Sequence, residues 1–148
     1  MDDPYNLQRF VDAQAAGGSY ARALEEIRRG RKVSHWFWYV FPQLRGLGSS
    51  ATSREYAISS LAEAQSYLHH SVLGPRLIDI TTAATSHADK TAADIFGPDD
   101  VKFRSSMTLF GRAAPSEGLF HVALDQFFGA TTDERTDLLL DAASEEGQ

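Results

Sequence analysis

Ser34 to Leu44 reads SHWFWYVFPQL, and the reading of this stretch decides the fold. Five of the sixteen aromatic residues fall between Trp36 and Phe41. A run that is apolar on every side has to be buried. His35, the two indole N–H groups, the Tyr39 hydroxyl and Gln43 then need partners inside the protein. Such a stretch is either a satisfied structural network or the wall of a site. Ser34 is placed to cap a short buried helix, and Pro42 disfavours helical geometry at Phe41, so this helix is expected to end at Val40 or Phe41. A buried strand competes, because Trp, Phe, Tyr and Val also favour strands and the run shows no alternation.

The punctuation around the stretch argues for helices. Asp3-Pro4 suits an N-cap and N1 pair for a helix carrying Leu7, Phe10, Val11 and Gln14 on one face. Gly17-Gly18 stops it, and Ser19 caps a second helix with Tyr20, Ala23, Leu24 and Ile27 that ends near Gly30. Gly46 to Ser50 is a loop. Ser60 and Glu63 match a capping box. Gly74-Pro75 breaks the chain ahead of a helix with Leu77, Ile78 and Ala84. Thr91 to Phe96 makes one turn closed by Gly97. Pro98-Asp99 opens a helix with Phe103, Met107 and Phe110 that ends near Gly111. Pro115-Ser116 starts one ending at Gly129, and Thr132 caps the last, with Leu138, Leu139 and Leu140. The expected fold is all-α: a compact single domain of six to eight helices around a buried, aromatic-rich central helix. It spans residues 4–143, with 1–3 and 144–148 expected to be disordered.

Composition bounds the function. At 148 residues and 16.3 kDa, one domain with a full hydrophobic core is expected. A net charge of −6 argues against general nucleic-acid binding, which rests on phosphate neutralisation by Lys and Arg. The absence of cysteine excludes disulfides, thiolate metal sites and cysteine nucleophiles. Met1-Asp2-Asp3-Pro4 has no signal-peptide pattern and the longest apolar run is six residues, so a cytoplasmic protein with no membrane partner is expected.

Two segments carry candidate chemistry. Arg28, Arg29, Arg31 and Lys32 directly precede the aromatic run, a pattern suited to an anion or nucleotide: guanidinium forks for phosphate, a ring for base stacking. The simpler reading pairs Glu25 and Glu26 with Arg28 and Arg29 on a solvated helix face. His35, at the first turn of the short helix, would be held neutral by the positive end of the helix and suit a hydrogen-bonding or base role. The second segment is DDVKFRSSMTLF, Asp99 to Phe110. Lys102 and Ser106 have the spacing of a Ser–Lys pair, but no oxyanion hole accompanies them. The plainer reading is an N-cap at Asp99 and ion pairs from Asp99 or Asp100 to Lys102 or Arg104. His69 and His70 are adjacent and diverge by about 100° on a helix, so no metal site is expected. No resident cofactor is implied.

These motifs also carry a resemblance. Leu7-Gln8-Arg9-Phe10 with Ala13-Gln14, SHWFWYVFPQL with Gly46-Leu47-Gly48, Glu63-Ala64 with Tyr67-Leu68, Leu73-Gly74-x-Arg76-Leu77, and Lys102 through Phe110 resemble the bacterial domain-of-unknown-function family 1810, and its actinobacterial members most. The resemblance implies a compact, mainly helical domain and supplies no reaction. The name calpastatin often attached to that family does not suit this chain, because an inhibitor of that class is long and disordered and this chain is core-forming. The Lys102-Phe103 pair and the basic-aromatic pattern are remotely similar to a family proposed to process NAD and ADP-ribose derivatives.

Two functions are therefore expected to compete. In the preferred one the protein binds a small anionic or nucleotide-like ligand of the NAD or ADP-ribose type, with hydrolase or N-glycosidase activity as its enzymatic extension. Trp36 or Trp38 would stack a ring, Lys32 and Arg104 would hold phosphate, and Gln43, Lys102 and Ser106 would complete the pocket. His35 or Asp99 would move a proton. In the alternative the motifs only specify the core of a noncatalytic interaction module. The first requires the two segments to meet at one concave surface.

Overall fold

The computed structural model describes residues 2–146. Its α-helical segments are α1 (Gln8–Ala15), α2 (Ser19–Arg29), α3 (Phe37–Val40), α4 (Ala51–Glu55), α5 (Leu61–His69), α6 (Leu73–Thr85), α7 (Ala92–Phe96), α8 (Asp100–Ala113), α9 (Gly118–Phe128) and α10 (Glu134–Glu146). Short 3-10 turns precede α2 and α8. Among the described residues there is no strand. A single parallel bridge pairs Leu44 with Ile58. The fold is all-α, as the punctuation implied. The expectation of disordered ends falls partly on Met1, Gly147 and Gln148, which lie outside the described residues. Ser144 to Glu146 continue α10.

The helix starts depart from the simplest capping pattern. Asp3 does cap α1, but from five residues upstream: its carboxylate accepts from the N–H groups of Leu7 at 2.7 Å and Gln8 at 3.0 Å. Ser19 does not cap α2. Gly18 holds that position in the left-handed region, and the buried Ser19 hydroxyl bonds to the Tyr39 hydroxyl at 2.6 Å. Gly74-Pro75 does not break the chain. Both residues lie in the first turn of α6, where the N–H that proline lacks has no helical partner to lose. Ser60 caps α5, but the Glu63 carboxylate turns to Ser59 and to Arg9 instead of closing a reciprocal box. Thr91 and Asp94 form a complete capping box at α7. Asp133, not Thr132, serves the start of α10, accepting from the backbone N–H and the hydroxyl of Thr136.

Helix α8 is the axis of the molecule. It packs against α5, α7, α9 and α10 and runs to Ala113, two residues past the expected stop at Gly111. Phe103 from α8 stacks on Phe96 at 4.2 Å and meets Phe41 edge-on at 5.2 Å, while Phe41 stacks on Phe37. The SHWFWYVFPQL stretch thus holds one turn of helix and packs through Phe41 against the first turn of α8. Its helix starts at Phe37 and ends at Val40. Ser34 does not cap it, because its hydroxyl donates to Glu26 at 2.7 Å.

Candidate ligand clefts

The site begins at α3. Because α3 has only four residues, its side chains point in every direction: Phe37 and Val40 enter the core, and Trp38 and Tyr39 reach outward, half-buried. After Pro42 the chain runs extended. The Ile58 N–H donates to the Gln43 carbonyl at 2.9 Å and the Arg45 N–H to the Ile58 carbonyl at 2.8 Å. These bonds fix Gln43 against the loop that follows. In that loop a Cβ at Gly48 would fall 2.7 Å from the Ser53 side chain and 3.5 Å from the Trp38 ring, a packing that only glycine permits unshifted.

The other wall comes from α8 and α10. Lys102 and Ser105 of α8 face Trp38 and Gln43 across a cleft of about 320 Å³, and Asp133 and Arg135 close its far side. The Lys102 ammonium lies 4.4 Å from the Trp38 ring centre, a cation–π pairing. Arg135 donates to the Gly46 carbonyl at 3.1 Å, holding the start of α10 to the glycine loop. Gln43 is 7% exposed, and its side-chain nitrogen has no hydrogen-bond partner.

Behind this cleft stands Asp99. Its carboxylate bridges two ammonium groups, Lys102 at 2.9 Å and Lys32 at 3.1 Å. Burial raises its pKa, and the hydrogen bonds and charges of Lys102 and Lys32 overcome that effect and hold it below the usual carboxylate range. Lys32 also lies 5.3 Å from the Trp36 ring centre. On the far side of Asp99 opens a second cleft of about 690 Å³, lined by Arg31, Lys32, His35, Lys90, Asp94 and Pro98 among others. The two sequence segments therefore meet, and Asp99 joins them.

The anticipated site residues divide between these two clefts. Trp38, Gln43 and Lys102 share the first; Lys32, His35 and Asp99 share the second. His35 precedes α3 and is exposed, outside the first helical turn anticipated for it. Trp36 is 1% exposed and its indole N–H donates to Glu26 at 2.9 Å, leaving Trp38 as the accessible ring. Ser106 is fully buried, with no bond to its hydroxyl and no route to a ligand. Arg104 turns away to Thr131 and the Phe128 ring. Of the basic run, Arg29 pairs with Glu25 on the solvated face of α2, as the simpler reading had it.

Sequence reasoning missed Glu26, Arg135 and Lys90. Glu26 reads as a solvated helix residue, yet it receives the N–H groups of Val33 and Ser34, the Ser34 hydroxyl and the Trp36 indole. Arg135 and Lys90 lie outside both motifs, and only the return of α10 and α7 brings them to the clefts. Among the described residues no group of three or more His, Asp or Glu is placed to hold a metal ion, and no helix is long and apolar enough to cross a membrane.

The family model described as "Protein of unknown function (DUF1810)" matches residues 4–140. Among solved structures, the conserved hypothetical protein Rv1873 from Mycobacterium tuberculosis is similar at 50% identity and a TM-score of 0.91, over 94% of this chain and 99% of that one. No curated protein matches the chain.

Proposed function

This chain belongs to the DUF1810 family, and from that premise we propose that it binds a small anionic ligand with a planar ring, of the nucleotide or ADP-ribose type, in the cleft that Trp38, Gln43, Lys102 and Arg135 line. The observation that carries the reading is the Lys102 ammonium held 4.4 Å from the Trp38 ring centre at the mouth of a cleft that also contains Gln43 and Arg135. An aromatic face accepts a base or another flat ring without regard to its identity. Two cations against the single carboxylate of Asp133 favour an anion, and the Gln43 amide offers polar groups for orientation.

Binding is favoured over reaction. A hydrolase or N-glycosidase needs a group free to take or give a proton beside the ligand. Asp99 is held as an anion between two lysines, Asp133 is engaged by Thr136, and His35 opens on the other cleft.

Thermal-shift titration with AMP, NAD, ADP-ribose and ribose phosphate tests the reading. A ligand at one hundred times its dissociation constant adds about 2.7 kcal/mol, which for a chain of this size is roughly 5–10 °C in Tm. Lys102→Ala and Arg135→Ala should each abolish most of that shift, and Arg104→Ala should retain it. A panel without any shift, or a shift untouched by Lys102→Ala, sinks the idea.

A further inference from the structure

Beyond the Trp38 cleft, the second cleft has chemistry of its own. In a chain of net charge −6, Arg31, Lys32, His35 and Lys90 converge on one concavity. Its two carboxylates are already engaged. Asp94 closes the capping box of α7, and Asp99 is shared between Lys32 and Lys102. The ion pairs of the described residues involve neither Arg31 nor Lys90. The cleft therefore brings three full positive charges, Arg31, Lys32 and Lys90, against the two carboxylates of Asp94 and Asp99.

The Lys90 stem packs against bare glycine backbone. A Cβ at Gly30 would fall 2.6 Å from Lys90 Cε and 3.3 Å from the His87 ring. The lysine stem thus lies across the bare backbone that ends α2, where Gly30 has a φ of 90°. His87 is itself held by a 2.6 Å bond to the Ile27 carbonyl. On the other side, the Lys32 N–H donates to the Ile95 carbonyl at 2.6 Å and ties residues 31–33 to α7. The backbone segments that carry the cations are thus already tied together, and a ligand has only their side chains to order.

We propose that this second cleft is a separate anion site that takes the phosphate group of a small soluble molecule, gripped by Arg31 and Lys90 with Lys32 behind. Arg31 offers the planar fork that matches phosphate oxygens and Lys90 a point charge. A concave basic wall concentrates such anions by focusing the field.

Titration of ¹⁵N-labelled protein with inorganic phosphate, at ionic strength held constant with sodium chloride, tests this. Saturable shifts are expected at residues 31–35 and 93–97. Arg31→Ala and Lys90→Met should each weaken binding on the order of tenfold, the equivalent of one charge-assisted hydrogen bond. Lys90→Met retains the stem against Gly30, so the fold is kept while the charge is removed. Arg135→Ala, which alters only the Trp38 cleft, should leave phosphate affinity within twofold and so separates this site from that one. Shifts no larger than those from chloride alone, or affinity unchanged in both Arg31→Ala and Lys90→Met, would overturn the assignment, as would shifts confined to Lys102 and Arg135.

Discussion

At Glu26 a carboxylate that helical spacing assigns to a neighbouring arginine turns inward and gathers the entry to the aromatic turn. Four donors reach it between 2.7 and 2.9 Å: the Val33 and Ser34 N–H groups, the Ser34 hydroxyl and the Trp36 indole. Burial pushes its pKa up, and these hydrogen bonds more than reverse that, holding it at about 2 against an ordinary 4.5. Because the folded value is depressed, the stabilisation is complete above the unfolded value near 4.5 and is lost as pH falls towards 2. Glu26→Gln keeps the size and removes the charge, so it should cost about 1–3 kcal/mol at pH 7. In thermal melts from pH 7 to 2 the gap between the two proteins should narrow below about pH 5. A gap of constant size would mean that the charge does not matter. The same residue marks a limit of sequence reading. The polar groups of SHWFWYVFPQL visibly required partners, and Gln43 and Lys102 were visible as site candidates. The partner Glu26 was not, because it lies on an adjoining helix and only the turn after Gly30 brings it back.

Among the elements, the elbow between α5 and α6 shows why a correct motif can be assigned the wrong role. Gly-Pro reads as a break, and here it is the tightest joint in the fold. A Cβ at Gly74 would fall 2.0 Å from the Leu68 carbonyl oxygen, so α6 can approach α5 only without a side chain at that position. His70 completes the joint, its Nδ1 accepting from the N–H groups of Val72 and Leu73. The obstacle is backbone and not a flexible side chain, so Gly74→Ala must part the two helices. It should cost about 1–3 kcal/mol in urea unfolding. Gly118→Ala is the control: it sits at the first position of α9 with open space around its Cβ and no positive φ. It should be neutral or stabilise by about 0.4–1 kcal/mol. Equal losses in both would show that the α5–α6 contact is not the cause. Helix positions were legible because the glycines and the apolar spacing are local signals. The caps at Asp3, Ser19, Ser34 and Asp133 were less so, since each of those side chains could equally serve a distant partner, and Ser19 and Ser34 do.

At the scale of the whole molecule, stability is uneven in a way that bears on the Trp38 cleft. Helix α8 buries nine of its residues, whereas among the α10 residues whose burial is described only Thr136 and Leu140 are buried. What holds α10 down is largely polar. Arg112 pairs with Asp137 at 3.2 Å and Asp141 at 2.8 Å, and the Asp133 N–H donates to the Thr108 hydroxyl at 2.8 Å. Exposed pairs of this kind contribute at most about 1 kcal/mol each. A helix held in this way belongs to the low-stability end of a fold and opens locally before the core does. Native-state hydrogen exchange should therefore find α10 exchanging by local opening and α8 only by global unfolding. Arg112→Met should speed exchange in α10 roughly fivefold, the equivalent of about 1 kcal/mol, and leave α8 unchanged. Because α10 supplies Arg135 to the cleft and Asp133 directly precedes it, a ligand bound there must slow α10 in turn, by linkage. Phosphate bound between Arg31 and Lys90 should leave α10 unaffected, since that cleft has no wall from α10. Exchange in α10 as slow as in α8 would refute the picture of a loosely tethered wall, and slowing by a ligand in the wild type but not in Arg135→Ala would tie that wall to binding.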